Sequence, residues 1–329
     1  MKKIAINGMG RIGRASLKII LDHPDLELVA VNDIAPIDSI AYLLKYDSVH
    51  GTFEKEVSVE DSALVVGGKH IPFYNERNPA DLPWKAHGVE VVIESTGVFT
   101  KEEDAQKHVD AGAKVVVISG PTSSGGVPTV VHGVNTKDGR TQIFSCASCT
   151  TNNISPVIEI LGRRIGIEKA IMTTIHANTA SNKMVDAPAK KTRMGRSGLN
   201  NLIPTTTGAA TATTKAMPQY AGKFDGMAIR VPVAIGSASD ITMVMSRATT
   251  VEEINAILTE EAASFRYDEV IAVTNDPIVS SDIIKDPHAA IIDLEMTKVV
   301  DGDLVKVLAW YDNEWGFANQ MIRQILENV

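Results

Sequence analysis

Lys3-Ile4-Ala5-Ile6-Asn7-Gly8-Met9-Gly10-Arg11-Ile12-Gly13 decides the fold of this chain. A short apolar run ends in three glycines spaced G-x-G-x-x-G, and residues 14–21 continue with helical apolar spacing. A second apolar run, 26–32, then stops at Asp33, twenty residues past Gly13. Strand, glycine turn, helix, strand and terminal acid in that order form the dinucleotide fingerprint. Gly8 permits the tight turn, Gly10 lets a pyrophosphate approach the backbone, and Gly13 lets helix and strand pack closely. The helix start offers free N–H groups and partial positive charge to phosphate. Asp33 falls where an acid accepts hydrogen bonds from ribose hydroxyls. Its charge repels a 2′-phosphate, and Ile34-Ala35-Pro36 supplies no cation, so NAD is favoured and NADP is less favoured.

Outward from this motif the pattern repeats. Residues 57–66 and 69–74 read as a hairpin turned at Gly67-Gly68. Strands at 89–94 and 114–119 flank a helix at 101–111, and 142–144 leads to Ser145-Cys146-Ala147-Ser148-Cys149-Thr150-Thr151-Asn152-Asn153. Strands alternating with helices predict an α/β fold, a Rossmann-type doubly wound parallel sheet. Cys149 then stands where its last strand ends.

A cysteine among small hydroxyl residues suits a thiol nucleophile beside an anion. Cys146 and Cys149 also form a C-x-x-C, leaving a redox pair and a buried inert thiol open as readings. Zinc needs about four ligands and the chain has two cysteines, so no metal site is expected. A helix follows over 154–165, with Pro156 in its early turns. A helix start close to Cys149 would lower the thiol pKa through its dipole. Residues 170–175 read as a strand ending at His176, the base a thiol nucleophile needs.

Residues 177–207 are polar and aperiodic, rich in Lys and Arg. A structureless stretch of this length inside a domain is usually functional. Thr205-Thr206-Thr207-Gly208 reads as a hydroxyl-rich turn suited to an oxyanion. A strand at 227–233 carries Arg230 as its one charge, to be met by a carboxylate or a bound anion. Strands at 241–246, 270–274, 291–297 and 305–311, the last two turned at Asp301-Gly302, predict an α+β catalytic domain with a mostly antiparallel sheet. A helix at 251–263 and a closing helix at 315–326 complete it.

The 329 residues, 44% hydrophobic and 22% charged, describe an ordinary globular composition long enough for two domains. A net charge of −8 with no basic arm argues against nucleic acid. No apolar run approaches membrane-helix length, and Met1-Lys2-Lys3-Ile4 runs directly into a strand, so no membrane association and a cytoplasmic location are expected.

Over nearly its full length the chain resembles phosphorylating glyceraldehyde-3-phosphate dehydrogenases. The likeness rests on Ile6 to Arg14, Glu94-Ser95-Thr96-Gly97-Val98-Phe99, Ala147 to Asn152 and Thr173-Thr174-Ile175-His176-Ala177. It extends through Ile203-Pro204-Thr205-Thr206-Thr207-Gly208-Ala209-Ala210 and Tyr311-Asp312-Asn313-Glu314-Trp315-Gly316. The resemblance implies a 1–148 NAD-binding domain joined by closing helix 314–329, and a 149–313 catalytic domain. It implies Cys149 as nucleophile and His176 as base, passing through a thiohemiacetal and a thioester that inorganic phosphate cleaves. Thr179 and Arg230 would hold the phosphate of glyceraldehyde 3-phosphate. Ser148, Thr150, Thr207, Gly208 and Arg196 would surround the attacking phosphate. Arg11, Ile12, Asp33, Arg77, Ser119 and Asn313 would contact the cofactor, alongside Gly8, Gly10 and Gly13. Residues 177–207 would be the family's S-shaped loop in a homotetramer.

Several positions depart from the family pattern. Asn153 stands where a second cysteine is usual, Asn178 replaces a common tyrosine, and Val233-Ala234-Ile235-Gly236 replaces an asparagine-containing run. One residue is missing between Lys191 and Arg196. Two rival readings accompany this one: an erythrose-4-phosphate dehydrogenase, and a non-catalytic NAD-binding redox sensor using Cys146 and Cys149.

Overall fold

The computed structural model describes residues 1–137, 139 and 141–329. The chain divides into two compact units. The first comprises residues 1–130, 136–147 and 321–329, and the second residues 131–135 and 148–320.

In the first unit β1 (Lys2–Asn7), α1 (Arg11–Asp22) and β2 (Leu26–Asn32) are followed by α2 (Ile37–Lys45). Next come β3 (Val57–Glu60), β4 (Ala63–Val66), β5 (Lys69–Tyr74) and the short α3 (Trp84–His87). β6 (Val91–Glu94), α4 (Glu102–Asp110), β7 (Val115–Ile118) and β8 (Ile143–Ser145) complete the set. The sheet order is β3-β4-β5-β2-β1-β6-β7-β8. From β5 through β8 every pairing is parallel. The parallel strands are apolar along their length because helices cover both faces: Ile4, Ala5, Ile6, Val91, Val92 and Ile93 are fully buried. Strand order reverses between β1 and β6, which makes their carboxyl ends a topological switch point.

One expectation fails here. Residues 57–66 are not a single strand: Asp61 and Ser62, at φ 46° and 63°, turn β3 back onto β4. With the turn at Gly67-Gly68 this makes a three-stranded meander. Asp and Ser tolerate that turn without a glycine to announce it.

In the second unit the elements are α5 (Cys149–Arg164), β9 (Ile167–His176), β10 (Ile203–Thr206), α6 (Ala209–Ala216) and β11 (Phe224–Arg230). β12 (Ser237–Met245), α7 (Val251–Ala262), β13 (Ile271–Thr274), β14 (Ala290–Val300) and β15 (Leu304–Tyr311) follow. α8 (Trp315–Asn328) begins in this unit and ends in the first. The sheet runs β10-β11-β9-β12-β15-β14-β13. It is mostly antiparallel, with β9–β11 and β13–β14 parallel. Asp301 and Gly302, both at positive φ, turn β14 into β15. One face packs Met172, Ile241, Met243, Val305 and Val307 against Ile154, Ile158 and Leu161 of α5. Residues 203–206, read within the polar, aperiodic stretch 177–207, form the edge strand β10. Pro204 is tolerated there because β10 has a neighbour on one side only. β11 begins at Phe224, ahead of the expected 227, since Gly226 sits inside the strand where Met172 leaves no room for a side chain.

Candidate active site

In the first unit the three glycines differ in what a side chain would meet there. Gly8 has φ 98°, and a Cβ there would lie 2.6 Å from the Thr96 amide nitrogen. A Cβ on Gly13 would lie 1.9 Å from the Gly8 carbonyl oxygen. A Cβ on Gly10 would meet nothing within 4 Å. That open space sits at the N-cap of α1, where no side chain caps the helix. It is the room a pyrophosphate needs.

A cavity of about 340 Å³ opens there, lined in part by Gly8, Gly10, Asp33, Arg77 and Thr96. Asp33 is braced by the amides of Met9 at 2.6 Å and Ala35 at 2.8 Å. The residues present therefore fit a dinucleotide. Arg11, by contrast, is held 2.7 Å from Asp47. Burial opposes ionisation of Asp47, but the His50 amide, the Arg11 guanidinium and the Val49 amide hold its carboxyl well below the usual carboxylate range. Ile12 lies in the first turn of α1, and the Ser119 amide donates to the Glu94 carbonyl at 2.9 Å.

Sequence reading missed what supports this cradle. Glu94, 1% exposed, accepts from the Thr96 amide and hydroxyl, from Asn7 Nδ2 at 2.6 Å and from His108 Nε2 at 3.0 Å. An indole N–H only donates, so Trp84 Nε1, 2.9 Å from His108 Nδ1, fixes the imidazole with its hydrogen on Nε2. Asn7 Oδ1 in turn accepts from Asn32. One buried carboxylate thus ties the ends of β1, β2 and β6 together. The visible signal was an acid closing the apolar run 91–94.

In the second unit α5 begins at Cys149. The preceding residue, Ser148, caps it by accepting from the Thr151 amide at 3.1 Å. The chain enters this turn through Ala147, fully buried and at φ 60°, an uncommon conformation for a non-glycine residue and one that clusters at functional sites. Cys149 Sγ lies 3.5 Å from His176 Nε2 and keeps partial solvent exposure, whereas Cys146 is buried. The expected lowering of the thiol pKa is not what this site produces. Burial pushes Cys149 up, and the Arg230 charge and the Thr150 hydrogen bonds only partly offset it, because a desolvated thiolate costs more than they return. His176 goes the other way: burial, then Arg230, lower it to about 4. The pair therefore rests as a thiol beside a neutral imidazole, the protonation states of an acid and its base.

Register brings Arg230 there. β9 and β11 pair in parallel with Arg230 opposite His176, so both side chains leave the same face of the sheet. Arg230 Nη1 is 2.7 Å from His176 Nδ1 and 3.0 Å from the Ala177 carbonyl. Its buried Nε has no partner, and among the described residues no carboxylate pairs with it. A cation so placed is a candidate anion site.

Tyr311, quoted in sequence only as part of a motif, has a role at the site that the sequence reading missed. Its hydroxyl bridges Thr150 at 2.9 Å and Thr174 at 2.8 Å, and its ring stands edge-on to His176. Thr150 is thus turned into the protein, 4% exposed. Asn313 reaches the same neighbourhood through Ser237, which donates to Asn313 Oδ1 and accepts from the Ala177 amide. Among the described residues no hydrogen bond links Thr179, Arg196, Thr207 or Gly208 to Cys149 or His176. Thr179 bonds Ser181, Arg196 pairs with Asp186 at 2.7 Å, and Thr207 accepts from the Ala209 amide at the start of α6. Asn153 donates to the carbonyls of Ala289, Ala309 and Trp310, tying α5 to β15. Asn178 bonds the Gly198 carbonyl at 2.7 Å. Among the described residues no cluster of three or more His, Cys, Asp or Glu is arranged to hold a metal ion.

Two family models match the chain. The NAD binding domain of glyceraldehyde 3-phosphate dehydrogenase matches residues 2–102, and the C-terminal domain of the same enzyme matches residues 148–313. The chain is 46% identical over 324 residues to glyceraldehyde-3-phosphate dehydrogenase 2 of Streptomyces avermitilis, covering 97% of this chain and 96% of the relative. It is 45% identical over 332 residues to the glyceraldehyde-3-phosphate dehydrogenase of Clostridium acetobutylicum, covering 99% and 98%. To glyceraldehyde-3-phosphate dehydrogenase 3 of Saccharomyces cerevisiae it is 43% identical over 333 residues, covering 100% and 99%. With a dinucleotide cradle in one unit and a thiol–imidazole pair beside an unpaired arginine in the other, the chain belongs to the glyceraldehyde-3-phosphate dehydrogenase family.

Proposed function

We propose that this chain oxidises D-glyceraldehyde 3-phosphate with NAD and inorganic phosphate to 1,3-bisphosphoglycerate, using Cys149 as nucleophile and His176 as base. The observation that carries this is Arg230, a half-buried cation paired with no carboxylate among the described residues, beside a thiol 3.5 Å from the His176 imidazole. His176 Nε2 takes the thiol proton as Sγ bonds the aldehyde carbon, then returns it to the oxyanion, giving a hemithioacetal. It accepts the same proton again as the carbon is oxidised to a thioester. Bound NAD supplies the hydride acceptor for that oxidation. Inorganic phosphate then attacks the thioester carbonyl and Cys149 leaves as the thiolate.

Arg230, with Thr179, would hold the substrate phosphate. Ser148, Thr150, Thr207, Gly208 and Arg196 would serve the attacking phosphate, Thr150 by releasing Tyr311. Gly8, Gly10, Gly13, Arg11, Ile12, Asp33, Arg77, Ser119 and Asn313 would hold NAD, within a 1–148 cofactor domain and a 149–313 catalytic domain joined by the closing helix 314–329. Arg11 would serve by leaving Asp47. The relatives all carry the triose phosphate name, which weighs against the tetrose reading.

A homotetramer is supported by an unpartnered apolar face. On the seven-stranded sheet Ile171, Ile175, Met227 and Met296 are exposed, and within 177–207 so are Met184, Val185, Leu199 and Leu202. Light scattering behind a sizing column tests it, and a monomer at working concentration would refute it. Among the described residues no helix is long and apolar enough to cross a membrane. We place the enzyme in the cytoplasm.

The deciding assay follows NADH absorbance with the triose phosphate, with and without inorganic phosphate, and again with erythrose 4-phosphate. Phosphate-dependent turnover favouring the triose is expected. Phosphate-independent turnover or preference for the tetrose overturns the assignment.

A further inference from the structure

β12 runs between β9 and β15, and the register at its start brings three stretches of chain together. Its first residue, Ser237, pairs with Tyr311, and Ala238 pairs with Ile175. One hydroxyl therefore stands between the chain leaving His176 and the chain entering α8. Ser237 Oγ lies 3.1 Å from the Ala177 amide nitrogen and 3.0 Å from Asn313 Oδ1. Ser237 is 1% exposed and Asn313 4%. The backbone around Asn313 is held by its neighbour Asp312. One Asp312 oxygen accepts the Glu314 and Trp315 amides at the start of α8, and the other accepts the Lys285 amide.

A hydroxyl has one hydrogen to give and two lone pairs to accept with. A backbone amide only donates, so Ala177 takes one lone pair of Ser237 and leaves its hydrogen needing an acceptor. Among the described residues the Asn313 side chain is the other hydrogen-bonding neighbour of Ser237 Oγ. With Oδ1 turned towards Ser237, both groups are satisfied. With the amide turned over, Nδ2 would donate to Ser237 and the hydroxyl hydrogen would be shut in without an acceptor. That loss is comparable to breaking a hydrogen bond. Ser237 thus decides which end of Asn313 is left for a ligand, and it is Nδ2, a donor. Among the described residues Nδ2 has no acceptor, although its side chain is almost closed to water. A donor so placed is matched by an acceptor on a bound molecule.

We infer that Ser237 is a positioning residue that sets Asn313 as a one-way donor and so selects a carbonyl oxygen at the nicotinamide end of the cofactor, an inference resting on the cofactor role proposed for Asn313. The carboxamide of nicotinamide supplies that oxygen. A cofactor whose ring substituent is a poorer acceptor binds less well, and its amino group is not what Asn313 reads. No covalent bond changes.

The test is NAD affinity, by fluorescence titration, in Ser237→Ala, Asn313→Ala and the double variant. Ser237→Ala should raise Kd about three- to tenfold, the worth of one neutral hydrogen bond. If Ser237 acts through Asn313, the double variant binds no worse than Asn313→Ala alone. Losses that add in the double variant make Ser237 a structural residue and overturn the inference, as does an unchanged Kd in Ser237→Ala. An unchanged Kd in Asn313→Ala takes Asn313 out of the cofactor site and removes both ideas together. Wild-type protein supplies a second measurement that needs no variant to fold. The acetylpyridine analogue of NAD keeps the carbonyl oxygen and lacks the amino group, whereas the thionicotinamide analogue replaces that oxygen with sulfur, a weak acceptor. The first should bind like NAD and the second several-fold more weakly, with the gap narrowing in Ser237→Ala. Equal affinity for all three, or weakening by the acetylpyridine analogue alone, overturns the one-way donor.

Discussion

The cofactor cradle of the first unit and the thiol site of the second are made from opposite materials. The cradle is backbone: three glycines shape it, helix amides face it, and Gly10 leaves open room at its floor. The thiol site is side chains at close quarters, with Cys149, His176, Arg230, Thr150, Thr174 and Tyr311 joined by contacts of 2.7–3.5 Å. A backbone site offers shape and amide groups, and at Gly8 and Gly13 it leaves no room for a side chain. A side-chain site sets proton positions, and each of its members changes the others.

That contrast can be broken by mutation. Cys149→Ser should cut kcat by at least roughly 10⁴-fold, since a hydroxyl is a far weaker nucleophile without a matched base. NAD affinity, measured by fluorescence titration, should hold. A matching loss of NAD affinity would show that the two sites are not separable.

His176→Asn should cost about 10²–10⁴-fold in kcat/KM, the usual worth of a positioned general base. It carries a second signature. The folded pKa of His176 is about 4, below its ordinary 6.5, so between those values the unfolded chain binds more protons. Stability is therefore fully present above about pH 6.5 and falls as pH drops towards 4, by up to about 3 kcal/mol at 1.36 kcal/mol per unit. Denaturant midpoints across that range should slope in the wild type and flatten in the variant. Parallel slopes would mean the imidazole is not held neutral.

Glu94→Gln gives the smallest effect and the sharpest comparison. An amide cannot accept from all four donors at once, so Thr96 and Asn7 lose their fixed positions. NAD should bind about tenfold more weakly, near 1.4 kcal/mol, while KM for the triose phosphate stays put at saturating NAD. An unchanged Kd would mean that the cradle needs only its glycines.

Legibility follows the same divide. The cradle lies in one continuous stretch, so Gly8, Gly10, Gly13 and Asp33 were readable from their spacing alone. The helix after Cys149 was expected only from 154; its start at Cys149 is set by the Ser148 cap, which apolar spacing does not show. The Arg230–His176 contact was not, because it depends on a parallel register between strands 54 residues apart. Tyr311 bridges from still further along the chain, 161 residues from Thr150. Its phenol, pushed up by burial, stays a donor; the motif that Tyr311 opens in sequence does not show which residues it bridges. The fall of the thiol pKa was expected from a helix dipole, but burial is set by tertiary packing and reverses the sign. The turn at Asp61-Ser62 escaped because it uses no glycine.

Cys146 has a practical consequence. It is 2% exposed and its thiol is pushed up by burial, while Cys149, the other cysteine in the chain, remains within reach of solvent. A maleimide or iodoacetamide reagent therefore marks one position per chain in the folded enzyme, without engineering. Counting bound label by mass spectrometry counts competent active centres directly, and a fluorophore placed there reports on nothing else in the molecule.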